Sequence, residues 1–539
     1  MRTRCRAAFA LLLALLMASG VSTLAQEPTE KKSSELTADE KAQLAKEKQS
    51  AAAAQKKLEA TWKTIYRPTH VPDRVILTWN GDPATSQAVT WRTDTTATKA
   101  VGQIALSEGG TAHDSLGAKV RPNPDKTKTV PGKTEFVKSD LFEAHYHSVS
   151  FAELKPATKY VYRVGDGATW SEWYEFRTPS DKPEPLSFMY FGDAQNEIRS
   201  HWSRVIRGAY SDMPKAQFMI HAGDLINRGT ADGEWGEWHH AAGWINGSIP
   251  SVPTPGNHEY SGFALPKFGP KDPPKGEVKG EAKDEAKGEP KADEPKEGKK
   301  VAPKSRLSPL WKPQFTLPEN GPAGLEESAY YFDIQGVRVI SLNSNERQDE
   351  QVPWMEKVLK DNPNKWTVVT FHHPIYSTAK GRDNKKLREA WRPVFDKYTP
   401  DIVLTGHDHT YGRSGIMRED NLLTGARVHE RGTVYVVSVS GPKFYKLEKE
   451  DWMVSSAADT QLYQLIRIDG DTLHYEARTA NGTIFDTFDL NKKPKGEGAA
   501  AAPPVPESGG ALPVWVALGA FAVVALVVLC RRFVIRAAA

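Results

Sequence analysis

The sequence predicts a multidomain chain in which an all-β sandwich precedes an α/β layered domain. Three observations predict this. The chain has 539 residues, enough for more than one domain. Between Pro68 and Pro179, short runs of alternating β-branched and aromatic residues are separated by Gly, Pro and Asp turns. From Leu186 onward, strand-like and helix-like runs take turns, the pattern of a layered α/β domain.

In chain order, Met1 to Arg6 is basic, Ala7 to Met17 is apolar and Thr23-Leu24-Ala25 is small, so 1-25 reads as a signal peptide and the protein as exported. Residues 26-66 are rich in Lys, Glu, Ala and Gln. Thr37-Ala38-Asp39-Glu40 fits a capping box, so this segment reads as a solvated, charged helical spacer. The sandwich, 67-180, includes Arg74 to Trp79, Ala88 to Trp91, His147 to Phe151 and Lys159 to Val164.

The α/β domain is expected over 186-491. Its strands are Phe188 to Phe191, Gln217 to Ile220, Val337 to Leu342, Trp366 to Phe371 and Ile402 to Leu404. Its helices are Glu197 to Tyr210, Asp232 to Ile245, Val352 to Lys360 and Asn384 to Lys397. A hairpin around Asn481-Gly482 ends it. The Lys-Gly-Glu and Pro-Lys units of 266-304 have almost nothing to bury and read as a disordered insert. Residues 492-510 read as a Pro/Ala/Gly stalk. Ala511 to Cys530 is twenty residues without a charge and precedes Arg531, Arg532 and Arg536, which predicts a transmembrane helix with a basic cytoplasmic tail, 531-539.

Composition narrows the function classes. A net charge of +4 with 26% charged residues is no nucleic-acid footprint, so no nucleic-acid binding is expected. The two cysteines, Cys5 and Cys530, lie in the end segments, so the body between them forms no disulfide and its metal sites must use oxygen and nitrogen ligands.

Five short signals in the α/β domain share one form, in which an apolar strand ends and a metal-capable residue follows. They are Phe191-Gly192-Asp193-Ala194-Gln195, Ala222-Gly223-Asp224-Leu225-Ile226-Asn227-Arg228-Gly229, Pro255-Gly256-Asn257-His258-Glu259, Thr370-Phe371-His372-His373-Pro374 and Leu404-Thr405-Gly406-His407-Asp408-His409. Each alone is weak, since a Gly-Asp is usually a turn and a histidine pair usually sits on the surface. Together, and all at strand ends, they point to a two-metal site. The pair His239-His240, among Trp235, Trp238 and Trp244, reads as packing or surface rather than ligand. Asn246-Gly247-Ser248 and Asn481-Gly482-Thr483 match glycosylation sequons and read equally as turns.

In this order the motifs resemble the calcineurin-like metallophosphoesterases. The β module, with Trp79, Trp91 and Leu154 to Asp166, is further similar to the fibronectin-III-like domain that precedes the catalytic one in the purple acid phosphatase branch. The resemblance spans roughly Arg67 to Leu490 apart from the insert. It implies Asp193 and His409 on a first metal, Asn257, His372 and His407 on a second, and Asp224 bridging the two. It also implies His258 as a proton donor to the leaving group and Arg228 as a phosphate-contacting arginine, with a structural salt bridge an equal alternative for Arg228. Asn227 stands where purple acid phosphatases carry the tyrosine that binds ferric iron and gives the colour; as a metal ligand it would be neutral at best, which implies a colourless enzyme, with Gln195 the alternative ligand that completes the first site. His373 has two readings, a phosphate contact or an outward-facing ring.

These residue types suit such chemistry. Cations about 3.5 to 4 Å apart need a shared anionic ligand, and imidazole with carboxamide oxygen suits Fe, Zn or Mn. The implied activity is hydrolysis of phosphate monoesters by attack of metal-bound hydroxide. A phosphodiesterase or nucleotide pyrophosphatase on the same metals, or a cell-surface binding protein with a vestigial metal domain, are the alternatives. The expected partners are a phosphate-ester substrate and, through the C-terminal helix, the membrane.

Overall fold

The computed structural model describes residues 37-107, 127-260, 307-425 and 431-492. The expected signal peptide, insert, transmembrane segment and tail, and the stalk beyond residue 492, lie outside the described residues. Among the described residues no helix is long and apolar enough to cross a membrane. The chain divides into two units, Met1–Leu490 and Asn491–Ala539, and everything below concerns the first.

Among the described residues, eight strands form the sandwich. One sheet orders Asp73–Thr78, Gln87–Thr93, Glu143–Phe151 and Lys133–Lys138. The other orders Lys128–Pro131, Val101–Leu106, Lys159–Gly165 and Tyr174–Arg177. All neighbours are antiparallel. The period of two in Lys159–Gly165 turns Tyr160, Tyr162 and Val164 inward, onto Val89, Trp91 and Val149 of the facing sheet. Trp91 stacks on His147 at 5.2 Å inside this core, whereas Trp79 leaves it and packs on Phe218 and Phe332 of the next domain at 6.0 and 5.3 Å.

The described residues of the α/β domain form two sheets. The six-stranded one orders Ser251–Pro253, Phe218–His221, Leu186–Phe191, Leu462–Asp469, Thr472–Thr479 and Ile484–Asn491, and its first three strands are parallel. The eight-stranded one is parallel through Val337–Ser341, Trp366–Thr370, Ile402–Thr405 and Thr433–Val437 and antiparallel at its margins. Helices Gln348–Lys360 and Lys385–Tyr398 cover this second sheet with Met355, Leu387, Trp391 and Phe395. Helices Ser203–Asp212 and Asp232–Ala242 cover the first with Val205, Ile206, Trp235 and Trp238. The stretch expected as one helix from Glu197 is a π turn, Ile198–Trp202, followed by that α-helix.

The helix Ala38–Ile65 departs from a solvated spacer at its C-terminal end. Leu44 and Leu58 are exposed, but Trp62 and Tyr66 are buried. Trp62 Nε1 donates to Glu237 at 2.9 Å, and the rings fill the space left by Gly233 and Gly236 on helix Asp232–Ala242. Two glycines at helical spacing leave a groove, and two aromatics fill it. This face was illegible from the spacer's own composition because the groove belongs to another segment.

Asp232, the first residue of that helix, is buried against the sandwich. Arg74 donates to both its oxygens at 2.8 and 2.9 Å, and Arg92 reaches it at 3.2 Å while also gripping Asp73. Burial opposes charge on Asp232, but the two guanidinium groups outweigh it and hold the carboxyl below its usual range.

Candidate metal centre

Parallel strands from both sheets end on one rim, where each of the five motifs begins its turn. The sheets are tied there by a parallel bridge between Asp193 and Val439. The motif glycines make room for each other's ligands. A Cβ on Gly406 would lie 2.1 Å from Asp193 Oδ1, one on Gly256 2.1 Å from Asp224 Oδ1, and one on Gly223 2.7 Å from His372 Nδ1. Asp224, His407 and His409 adopt left-handed backbone, φ 49°, 74° and 49°. Such conformations cost on the order of 1 to 3 kcal/mol each and persist where surrounding structure imposes them, often at functional sites.

Each aspartate commits one oxygen to a backbone N–H and turns the other inward. His407 N donates to Asp193 Oδ1 at 2.6 Å, and His258 N to Asp224 Oδ1 at 2.9 Å. The remaining oxygens face imidazole nitrogens. His409 Nε2 lies 3.0 Å from Asp193 Oδ2, and His372 Nε2 lies 3.2 Å from Asp224 Oδ2. His372 Nε2 is also 3.0 Å from Asn257 Oδ1 and 3.1 Å from His407 Nδ1.

The tautomers follow from the far sides of the rings. His372 Nδ1 faces Ala222 O, and His409 Nδ1 faces Lys443 O, both at 2.9 Å. A carbonyl only accepts, so Nδ1 carries a proton in each ring, and the neutral ring presents the Nε2 lone pair inward. Lone pairs of carboxylate, carboxamide and imidazole therefore converge, and Asp193 Oδ2 is buried without a hydrogen-bond partner. A cation answers such a donor set, and the ligand atoms of Asp193, Asp224 and His372 lie within 4.8 Å of one another.

The electrostatics agree. Burial opposes the proton on His372, but the Asp224 and Asp193 carboxylates outweigh it and raise the ring to about 9. Burial also opposes the charge on Asp224, and His372 and His258 outweigh it and depress that carboxyl. His407 is driven far below the ordinary imidazole value by burial and by His373 and His372, and His373 is lowered to about 3 by burial and by His372. The centre is a negative field that holds a positive charge, here the proton on His372, with His407 and His373 neutral beside it.

The other predicted residues take distinct places. Gln195 presents Nε2 to Asp224 Oδ2 and to His409 Nε2, both at 3.0 Å, and its own Oε1 is buried without a partner. A half-turn of the amide would bring the oxygen to the cluster. His258 Nδ1 meets Asn227 O at 2.5 Å, and its Nε2 is 3.8 Å from Asp224 Oδ2. Asn227 engages through its backbone, its N–H donating to Glu234 at 2.7 Å. Arg228 is joined to the same Glu234, Nε to Oε1, at 2.9 Å. His373 shares a hydrogen bond with Ser344 at 2.9 Å and, with Asn257, Tyr260, Asn345 and Lys386, lines a cleft of about 630 Å³ beside the centre. His239 is buried against Gln314, at 2.9 Å, away from this cluster. Asn246 is buried, which closes its side chain off from solvent.

Four residues escaped the sequence reading. Glu259 is buried and accepts from the backbone of Asp224, Leu225 and Gly256 at 3.0, 2.8 and 2.6 Å, so it holds the turn that carries Asp224. Glu234 holds the following turn in the same way. Asp408 accepts from Thr378 N at 2.7 Å, and Arg382 Nε lies 3.0 Å from its other oxygen. Glu259 and Asp408 stand inside the motifs and were legible as conspicuous carboxylates. Glu234 and Arg382 had no local signal.

Two family models match the chain. Residues 72–178 match the family described as Purple acid Phosphatase, N-terminal domain, and residues 186–411 match Calcineurin-like phosphoesterase. The chain belongs to the purple acid phosphatase-like branch of the calcineurin-like metallophosphoesterases. It is 25% identical over 301 residues to Purple acid phosphatase 21 of Arabidopsis thaliana, an alignment covering 54% of this chain and 58% of that one. It is 26% identical over 313 residues to Purple acid phosphatase of Glycine max, again covering 54% and 58%. The metallophosphoesterase chain thus spans under two thirds of the length of these relatives. Its fold is similar to that of purple acid phosphatase PPD1 from yellow lupin, Lupinus luteus, with TM-score 0.58, 17% identity and coverage of 78% and 74%.

Proposed function

We propose that this metallophosphoesterase is an exported, membrane-tethered phosphatase that hydrolyses phosphate monoesters at a binuclear metal centre. The observation that carries the hydrolytic reading is the convergence of inward-facing lone pairs from Asp193, Asp224, Asn257, His372, His407 and His409, with Asp224 Oδ2 reached by residues of both proposed sites. Bound there, two metal ions supply Lewis acidity to phosphoryl oxygens and lower the pKa of water.

The chain's own side chains do the rest. The carbonyls of Ala222 and Lys443 hold His372 and His409 in the tautomer that aims Nε2 inward. His258, anchored through Nδ1 by Asn227 O, places Nε2 beside Asp224, where as the imidazolium it would give a proton to a departing alkoxide. The 630 Å³ cleft beyond Asn257 and His373 has room for an organic leaving group. Asn227 in place of a phenolate supports a colourless centre of Fe, Zn or Mn. The charge-free run 511-530 followed by arginines supports the tether, and the basic-apolar-small pattern of 1-25 supports export.

Metal analysis of the full chain, with p-nitrophenyl phosphate hydrolysis, tests the reading. About two metals per chain with turnover are expected. No metal and no turnover after Mn, Zn or Fe is supplied would leave the binding-protein alternative. Faster cleavage of bis-p-nitrophenyl phosphate would move the assignment to a phosphodiesterase. A strong visible charge-transfer band would overturn the colourless centre.

A further inference from the structure

The cleft of about 630 Å³ shares Asn257 with the ligand cluster, so an alcohol released at the centre has this space beside it. Two segments wall it, 344-348 leading into helix Gln348–Lys360 and 383-387 at the start of helix Lys385–Tyr398. Both are fixed from behind. Buried Gln351 accepts from Asn343 N at 3.0 Å and donates to Asn343 O at 2.7 Å, which sets the first segment. Asn384 Nδ2 donates to Pro374 O at 2.9 Å, which sets the second.

Small-molecule pockets are mostly apolar, and this one is not. Leu387 is the only aliphatic side chain among its described lining residues, and it is buried. Nor does the lining favour one charge. Asp383 is met by Arg388 at 2.5 Å and Lys385 by Glu389 at 3.8 Å, which leaves Glu346 and Lys386 with opposite signs. Uncharged acceptors complete the wall. Gln348 gives Nε2 to Ser344 O at 2.7 Å, and its Oε1 has no hydrogen bond among the described residues. Asn384 stands at the N-cap of its helix without capping it, and its Oδ1 is likewise unbonded. Both side chains are half-buried.

We propose that this cleft binds the alcohol half of the substrate and selects a neutral polyol, so that the substrate class is the monophosphate of a sugar or a smaller polyol. This rests on the monoester reading above and adds the identity of the leaving group. Hydroxyl groups of the polyol donate to Gln348 Oε1 and Asn384 Oδ1. An aliphatic alcohol in the same place would strip water from both carbonyls and return no donor. Hydrolysis breaks the bond between phosphorus and the ester oxygen; water supplies an oxygen to phosphate and a proton to the polyol.

The test compares glucose 6-phosphate with n-hexyl phosphate, primary esters of six-carbon alcohols with and without hydroxyls, on the full chain supplied with Mn. The wild-type kcat/KM should favour glucose 6-phosphate by about tenfold or more. That preference should shrink by about threefold to tenfold in Gln348→Leu and in Asn384→Leu, and further in the double variant. Gln348→Glu, which keeps an acceptor, should retain more of it than Gln348→Leu. Equal or faster hydrolysis of n-hexyl phosphate by the wild type would overturn the proposal without recourse to any variant. So would a preference left intact in the double variant, or a higher kcat/KM for 6-phosphogluconate than for glucose 6-phosphate, which would assign the cleft to an anionic leaving group. A wild-type chain that hydrolyses no monoester, p-nitrophenyl phosphate included, would instead overturn the reading beneath it.

Discussion

Asp224 and Asp232 stand eight residues apart, both buried, and they have opposite surroundings. Asp232 is met by Arg74 and Arg92 across the domain junction, and its two oxygens are taken by guanidinium N–H groups. Asp224 faces His372, His258 and Gln195, on a turn held by Glu259, with other lone pairs pointing at the same place. Fixed positive charges that belong to the chain close the first site. The second gathers negative charge and neutral donors, which suits a charge supplied from outside. A buried carboxylate is thus structural or functional according to whether its counter-charge is covalently part of the protein.

The largest effect separating the two is expected from Asp224→Ala. Loss of the shared ligand should remove metal and reduce p-nitrophenyl phosphate turnover by about 10³-fold or more, since metal Lewis acidity supplies several kcal/mol. Substantial turnover with metal retained would break the comparison at its functional end. Asp232→Ala should act on stability instead. It leaves Arg74 and Arg92 buried with one partner fewer, a change of about 3 to 5 kcal/mol for a broken buried pair, read by urea unfolding. Unaltered stability would break the comparison at its structural end.

A third, smaller effect is a pH dependence. The folded pKa of His372, about 9, lies above the ordinary 6.5, so after chelation of the metals its contribution to stability is fully present below about pH 6.5 and lost as pH rises towards 9. Asp224, depressed below 3.8, contributes above that value and loses its contribution as pH falls. Unfolding midpoints at pH 6 and pH 9 should therefore separate in chelated protein and draw together once metal is restored. Equal midpoints in chelated protein would show that Asp224 and His372 do not interact as described. The smallest effect is expected from Trp62→Ala, which undocks Ala38–Ile65 from the helix that begins at Asp232. Amide exchange in the spacer should quicken while hydrolysis stays unchanged. Slower hydrolysis would tie the spacer to the turn that Glu234 holds.

The sequence by itself determined the order of domains and the rim on which the site stands. Period-two alternation in runs such as Lys159 to Val164 and apolar runs such as Phe188 to Phe191 are local statements, and a turn after a strand puts Asp193, Asp224 and His407 at the strand's end whatever else the chain does. Asp193, Asp224, Asn257, His372, His407 and His409 were legible because each follows the end of a strand, His407 and His409 the same one. Tertiary structure decided what each charge meets. The composition of Arg228 and Arg382 is the same, yet Glu234 takes the first into the scaffold and Asp408 turns the second towards His407. Trp62 found the groove of Gly233 and Gly236, and Asp232 found arginines from another domain. Electrostatic and packing partners far apart in sequence are set by the docking of sheets and helices, and no local pattern carries that information.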